Sequence, residues 1–125
     1  MFRMLHLHHK TYSKTSETLM NFTEYQLLAK GTAVYPKGYV YPILGLAGET
    51  GEVVEQFKRV FRDDNYRITD ERREKIKKEL GDVLWYVSAT CTELELDLDD
   101  VAQSNITKLY QRKAENKLHG EGDNR

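Results

Sequence analysis

The chain has 125 residues, enough for one domain with a modest hydrophobic core but not for two. Hydrophobic residues make up 39% and charged residues 31%, a balance typical of a soluble protein whose helices each bury one stripe. The formal charge of −1 argues against a sequence-independent nucleic-acid binder, which needs a clear basic excess. No apolar run approaches the roughly 20 residues that span a bilayer. The single cysteine, Cys91, excludes an intramolecular disulfide and favours a cytoplasmic protein.

Residues 1–20 are predicted to be a flexible leader, and the folded domain is predicted to occupy residues 21–125. The leader lacks the apolar segment of about 7–15 residues and the small-residue cleavage site of a secretory signal. Its histidines, His6, His8 and His9, are interpreted as incidental rather than as metal ligands.

Four helices are predicted in chain order, and no strand-like alternation competes with them. Asn21 or Thr23 would cap the first helix, and Asp97, Asp99 or Asp100 would cap the fourth, because short polar side chains accept bonds from free amides at helix starts. The predicted spans are 22–34, 42–62, 69–96 and, after the fourth cap, up to about 117. Short links between four helices predict an all-α, four-helix-bundle-like fold.

Polar residues lie at the edge of the apolar sector on three of these helices when residues are placed at about 100° intervals. Two acids lie at this edge on the second helix and two on the third, and an amide with two cations lies there on the fourth. These residues are Glu49 and Glu52, then Glu79 and Asp82 followed by Tyr86, and finally Asn105, Lys108 and Arg112.

Four carboxylates half-buried beside a core are costly unless something positive neutralises them. Magnesium is a good candidate, because it takes carboxylate oxygens, keeps several waters and leaves positions for phosphate oxygens. The alternative is an ordinary solvated flank whose acids pair with lysines and arginines at the surface. Candidate partners are Lys58, Arg59, Lys77 and Lys78. Spacing alone leaves both interpretations open.

Two segments carry a resemblance to a known family. The run GLAGETGE at 45–52 and the run ELGDVLWY at 79–86 resemble the Glu-x-x-Glu … Glu-x-x-Asp signature of the MazG-like nucleotide pyrophosphohydrolases, in the all-α NTP pyrophosphatase superfamily. The run NITKL at 105–109, with Arg112 beyond it, is similar to the third block of that family. Both acidic motifs in order, together with the third block, make the resemblance specific.

The resemblance implies magnesium-dependent hydrolysis of a nucleoside triphosphate, in particular a dNTP, to the monophosphate and pyrophosphate, as nucleotide-pool housekeeping. It implies Mn²⁺ as a substitute ion and a homodimer or homotetramer. The implied metal ligands are Glu49, Glu52, Glu79 and Asp82, with Glu52 as the first choice of catalytic base and Glu49 as the second. The implied substrate-binding residues are Tyr86, Asn105, Lys108, Arg112 and Lys58.

Two other functions are alternatives to this hypothesis, and the sequence excludes the second. A catalytically silent bundle that binds a nucleotide or a protein partner is one, although all four acids of the signature are present. A di-iron carboxylate bundle is excluded, because that site needs Glu-x-x-His pairs on two helices and the sequence has none.

Aromatic residues and the single thiol have simpler predicted roles. Cys91 is predicted to be a core thiol, and Trp85 is predicted to pack against another helix or a partner rather than to stack on a base. The segment 35–41, with three tyrosines, is either part of a nucleobase pocket or a stiff linker. His119 and the tail at 123–125 are predicted to be mobile by position, and the alternative that the resemblance suggests is a tail that folds over the phosphates.

Overall fold

The computed structural model describes residues 20–119, and these form four helices without a strand. The helices are α1 (Phe22–Lys30), α2 (Val40–Asp63), α3 (Asp70–Glu93) and α4 (Leu98–Ala114). The predicted all-α fold is therefore confirmed. The predictions for residues 1–19, including His6, His8 and His9, and for the tail after residue 119 fall outside the described residues. None of the four described helices is long and apolar enough to cross a membrane.

Three helices begin at polar caps, and the sequence suggested two of them, those of α1 and α4. The side chains of Asn21, Thr69 and Asp97 accept hydrogen bonds from backbone amides two or three positions further on, at 2.8, 3.1 and 2.9 Å. Each bond satisfies an amide that has no partner within the helix. Among the alternatives left open, Asn21 caps α1 and Asp97 caps α4. α2 begins two residues before the predicted start, and Pro42 lies in its first turn, where a missing N–H costs nothing.

Three helices end earlier than predicted. α3 and α4 stop three residues before the predicted ends at 96 and 117. In each case a residue takes a left-handed conformation, Glu95 with φ 56° and Asn116 with φ 57°. The next amide then donates to the carbonyl five residues earlier, at 2.8 and 2.7 Å, which closes the helix in a Schellman-type turn. α1 ends at Lys30 rather than 34, and just after this end the Thr32 hydroxyl donates to the Ala29 carbonyl at 2.7 Å.

Packing between α2 and α3 dominates the fold, and α1 packs against both α3 and α4. α2 and α3 are antiparallel, since the start of α2 meets the end of α3 and the end of α2 meets the start of α3. The core is small. Among the described residues its buried hydrophobic members are Ala29, Val60, Ile76, Tyr86, Ala89, Cys91 and Leu98. Cys91 is thus a core thiol as predicted, and burial raises its pKa.

The apolar sector predicted for α2 is divided in the structure. Val60 is buried and Val53 is half-buried on the side that packs against α3. Val54, Phe57 and Phe61 are exposed on another side of the same helix. The sector is therefore wider than one neighbouring helix can cover, which leaves a second apolar surface.

Gly45 allows the ring of Tyr86 to lie directly on the backbone of α2. A Cβ atom added at Gly45 would overlap three ring atoms of Tyr86, a side chain that is only 5% exposed. We expect Gly45→Ala to destabilise the fold by about 1–3 kcal/mol, because a buried ring must move to make room. Gly48→Ala is the matched control, since a Cβ atom there meets nothing within 4 Å. It should be neutral or stabilising by up to about 1 kcal/mol, from helix propensity. Equal melting temperatures for the two variants would contradict the close approach.

Candidate metal and substrate site

The site lies along the seam between α2 and α3. Seven residues make almost two helical turns, so residues spaced by seven lie nearly in line along a helix. On α2 this line contains Pro42, Glu49 and Gln56, and on α3 it contains Arg72, Glu79 and Tyr86. Because the helices are antiparallel, the two lines face each other and place acidic and polar groups between the helices.

Three carboxylates converge at this seam. Glu49 of α2 and Glu79 and Asp82 of α3 each offer one oxygen, and these oxygens all lie within 4.8 Å of one another. Glu49 and Glu79 are half-buried, whereas Asp82 is exposed at the edge of the seam. We call Glu49, Glu79 and Asp82 the three-acid cluster. Because Asp82 is exposed, the cluster is accessible from one side.

Like charges in the three-acid cluster are not balanced within residues 20–119. Burial and then the charges of Asp82, Glu79 and Glu52 raise the pKa of Glu49. None of the ion pairs in the described chain involves a member of the cluster. The lysines considered as surface partners bind elsewhere: Lys58 lies 2.8 Å from Glu55 and Lys77 lies 3.8 Å from Glu74. The solvated-flank interpretation is thus not supported for these two lysines.

The donor set suits a hard divalent cation. All three groups are carboxylates, which are the ligands that Mg²⁺ and Mn²⁺ accept. The open side leaves room for the waters that Mg²⁺ keeps and for oxygens of a phosphate. The residues present therefore fit the metal that the sequence predicted.

Glu52 does not belong to the three-acid cluster. It is exposed, although its charge contributes to the raised pKa of Glu49. A residue three positions after Glu49 is rotated by about 60° around the helix, and the position turned towards α3 is taken by Val53. The role of Glu52 as a ligand or base stays a prediction.

The predicted phosphate-binding residues lie on α4, away from the principal helix pair. Asn105 is exposed, Lys108 is half-buried and Arg112 is buried. The main neighbour of α4 in the described chain is α1, and α4 does not pack against α2 to a comparable extent. Lys58, the third cation among the predicted substrate-binding residues, is exposed and bonded to Glu55. The phosphate-binding roles of these four residues stay predictions.

An aromatic cluster, formed by Tyr35, Tyr41, Trp85 and Tyr86, lies beside the acids. Tyr35 and Tyr41 are stacked with centroids 5.7 Å apart, and Tyr41 and Tyr86 are 6.4 Å apart. Trp85 meets Tyr35 edge-on at 6.0 Å and donates to the Thr32 hydroxyl at 2.8 Å, so it packs within the chain. Burial, followed by the neighbouring Tyr41, raises the pKa of Tyr86 to about 12. The cluster thus presents neutral aromatic rings next to the acids.

Three polar residues behind the acids were missed by sequence reasoning. Arg72 donates to Asp64 at 2.7 Å and to Gln56 at 2.9 Å, and Gln56 donates to Glu79 at 3.5 Å. Gln56 and Arg72 are only 5% and 8% exposed. The spacing of seven from Glu49 to Gln56 and from Arg72 to Glu79 was the available signal, because it places each on the line of a predicted ligand. Tyr25 of α1 was also missed; burial and then the charge of Asp82 raise its pKa.

Together the helices and the three-acid cluster define a small all-α protein with a carboxylate site of the kind that binds a divalent metal. The chain belongs to the MazG nucleotide pyrophosphohydrolase domain family, whose profile matches residues 42–116. It is also 40% identical over 114 residues to the Gene 37 protein of Mycobacterium phage L5, an alignment that covers 85% of this chain and all of the relative. No solved structure matches the chain significantly. The matched segment contains the whole three-acid cluster, and the resemblance found in the sequence is confirmed.

Proposed function

We propose that the protein is a magnesium-dependent enzyme that hydrolyses a nucleoside triphosphate, in particular a dNTP, to the monophosphate and pyrophosphate in the cytoplasmic nucleotide pool. The observation that carries this proposal is the three-acid cluster, unpaired with any cation in residues 20–119, in a chain of a metal-dependent hydrolase family. Maintaining such repulsion costs stability, and a divalent ion offsets that cost when it binds.

Each residue of the site has a proposed task. Glu49, Glu79 and Asp82 would hold the ion, which would screen the triphosphate and lower the pKa of the attacking water. Glu52, at the solvent edge beside Glu49, is the proposed base that takes the proton of the attacking water. The water oxygen forms a bond to phosphorus as the α–β anhydride bond breaks, and pyrophosphate leaves.

Binding of the nucleotide is proposed to involve both sides of the acids. The aromatic cluster, with Tyr86 nearest the acids, offers ring surfaces for the base. Asn105, Lys108 and Arg112 would donate to phosphate oxygens, with Lys58 as a further cation.

The direct test is product analysis with a panel of nucleoside triphosphates in the presence of Mg²⁺. We expect pyrophosphate and the monophosphate, no orthophosphate, complete inhibition by EDTA and recovery on adding Mg²⁺ or Mn²⁺. Release of orthophosphate with a nucleoside diphosphate would identify a different reaction. Absence of any turnover across the panel, with nucleotide still bound, would favour the catalytically silent bundle.

A homodimer is proposed as the working unit, and the exposed surface of α2 supports it. Seven exposed residues of α2 repeat at alternating spacings of three and four, the pattern of a two-helix seam. This α2 stripe consists of Val40, Ile43, Ala47, Thr50, Val54, Phe57 and Phe61. Thr50 bonds its hydroxyl to the Leu46 carbonyl at 2.8 Å and so satisfies its polar group within the helix. A stripe this long and apolar is typical of a surface that is covered by another helix.

A further inference from the structure

We propose that Gln56 is a positioning residue that fixes the carboxylate of Glu79 for metal binding, and that Arg72 and Asp64 fix Gln56. This inference rests on the proposed function of the three-acid cluster. It adds three residues that the two signature motifs do not contain.

The chemistry of Arg72 decides which way the Gln56 amide points. A guanidinium group has only donors, so the atom of Gln56 that Arg72 contacts at 2.9 Å must be the carbonyl oxygen. The amide nitrogen must then point the other way, and it lies 3.5 Å from Oε1 of Glu79. The orientation of this amide therefore follows from the chemistry of its two partners.

Arg72 is itself held firmly. Its Nε donates to Oδ2 of Asp64 at 2.7 Å and its second terminal nitrogen lies 3.4 Å from Oδ1, a two-point contact of planar groups. The side chains of Arg72 and Asp64 are only 9% and 16% exposed, so little water competes for these bonds. The chain Asp64–Arg72–Gln56–Glu79 is thus anchored at its far end and acts on a single ligand at the other.

The neutral amide of Gln56 between Arg72 and Glu79 has a specific advantage over direct contact of Glu79 with Arg72. If Arg72 touched Glu79 itself, the guanidinium charge would neutralise a carboxylate that must attract a metal. Gln56 transmits the position of Arg72 but not its full charge. It also engages one Glu79 oxygen from inside the helix pair and leaves the other oxygen available. Metal-binding carboxylates are commonly held by hydrogen bonds of this kind.

The test is the affinity of the protein for Mn²⁺ alone, measured by the loss of the free-ion electron paramagnetic resonance signal. Gln56→Met keeps the size of the side chain but removes both bonds, and we expect binding to weaken by roughly 10-fold. Turnover of Gln56→Met should recover towards the wild-type rate as Mg²⁺ is raised, whereas turnover of Glu79→Gln should not. Gln56→Asn, which keeps the amide but is one methylene shorter, should weaken Mn²⁺ binding in the same direction.

Gln26→Met is the matched control. Like Gln56, Gln26 makes hydrogen bonds between elements, in its case to Thr92, Leu96 and Leu98, but it has no link to the acids. It should lower the melting temperature and leave Mn²⁺ affinity unchanged. Wild-type affinity in a folded Gln56→Met and Gln56→Asn, as judged by circular dichroism, would overturn the positioning role while leaving the metal site intact. Failure of the wild type to bind Mn²⁺ would overturn the proposed function and this inference together.

Discussion

Asp82→Asn and Glu49→Gln should each reduce pyrophosphate release at least about 100-fold at millimolar Mg²⁺. Each substitution removes one negative charge from a cluster whose oxygens lie within 4.8 Å of one another. A neutral amide is a weaker ligand for a hard cation, and loss of about 3 kcal/mol of transition-state stabilisation lowers the rate by two orders of magnitude. Steady-state assays of pyrophosphate release across Mg²⁺ concentrations would measure the effect.

Glu55→Gln is the matched control for these variants. Glu55 lies on α2, as Glu49 does, but it bonds to Lys58 at the surface. An exposed pair of this type contributes little, so its loss should change turnover less than about twofold. Undiminished rates in both Asp82→Asn and Glu49→Gln would remove the assignment of the cluster as the catalytic metal site.

Without metal, the Glu49→Gln substitution should not lower the stability of the chain. Folding raises the pKa of Glu49, so the folded chain holds that proton more tightly than the unfolded chain. The metal-free wild type should therefore gain stability relative to Glu49→Gln, which has no proton to bind there, as the pH falls from 7 towards the pKa of Glu49. In EDTA at neutral pH, Glu49→Gln should melt at the same temperature as the wild type or a few degrees higher. A large drop in its melting temperature would show that the loss of activity came from misfolding.

The helices and the three-acid cluster were predictable because they depend on local sequence patterns. The caps at Asn21 and Asp97 follow from side chains that bond nearby amides. The pairing of Glu49 with Glu79 and Asp82 follows from two similar motifs on two helices joined by a short loop, which must pack antiparallel.

The remainder could not be read from the sequence because it depends on how far each helix is rotated. The edge of an apolar sector extends over more than one position, so spacing alone could not separate Glu52 from Glu49. Two helices are shortened by left-handed conformations at Glu95 and Asn116. Glycine is the usual residue at such helix ends, so its absence here made these ends hard to predict. The spacing of Arg72 from Glu79 places both on one line of α3 but does not show that Arg72 is buried, because that burial depends on Asp64 and Gln56 lying beside it.

Val54→Lys should convert a dimer of the protein into monomers. Val54 is 62% exposed in the isolated chain and lies within the α2 stripe, so the change costs the single chain little. In a dimer joined through the stripe, each copy would bury an ammonium group without a partner, which costs several kcal/mol. The dissociation constant should rise at least about 100-fold, equivalent to about 2.7 kcal/mol. Light scattering after size exclusion should give the wild type twice the chain mass of 14.6 kDa or a higher multiple, and should give the variant a single chain mass.

Val34→Lys supplies the same substitution at a similar exposure outside the stripe. Val34 is 56% exposed and lies in the link between α1 and α2, so its replacement should leave the mass unchanged. A monomeric wild type, or an unchanged mass for Val54→Lys, would exclude the α2 stripe as the contact between copies. If the dimer is lost and pyrophosphate release falls with it, the second copy completes the site. Within one chain, α4 packs mainly on α1 and not on the helices that hold the acids. In such a dimer, Asn105 and Lys108 would reach the acids of the other copy.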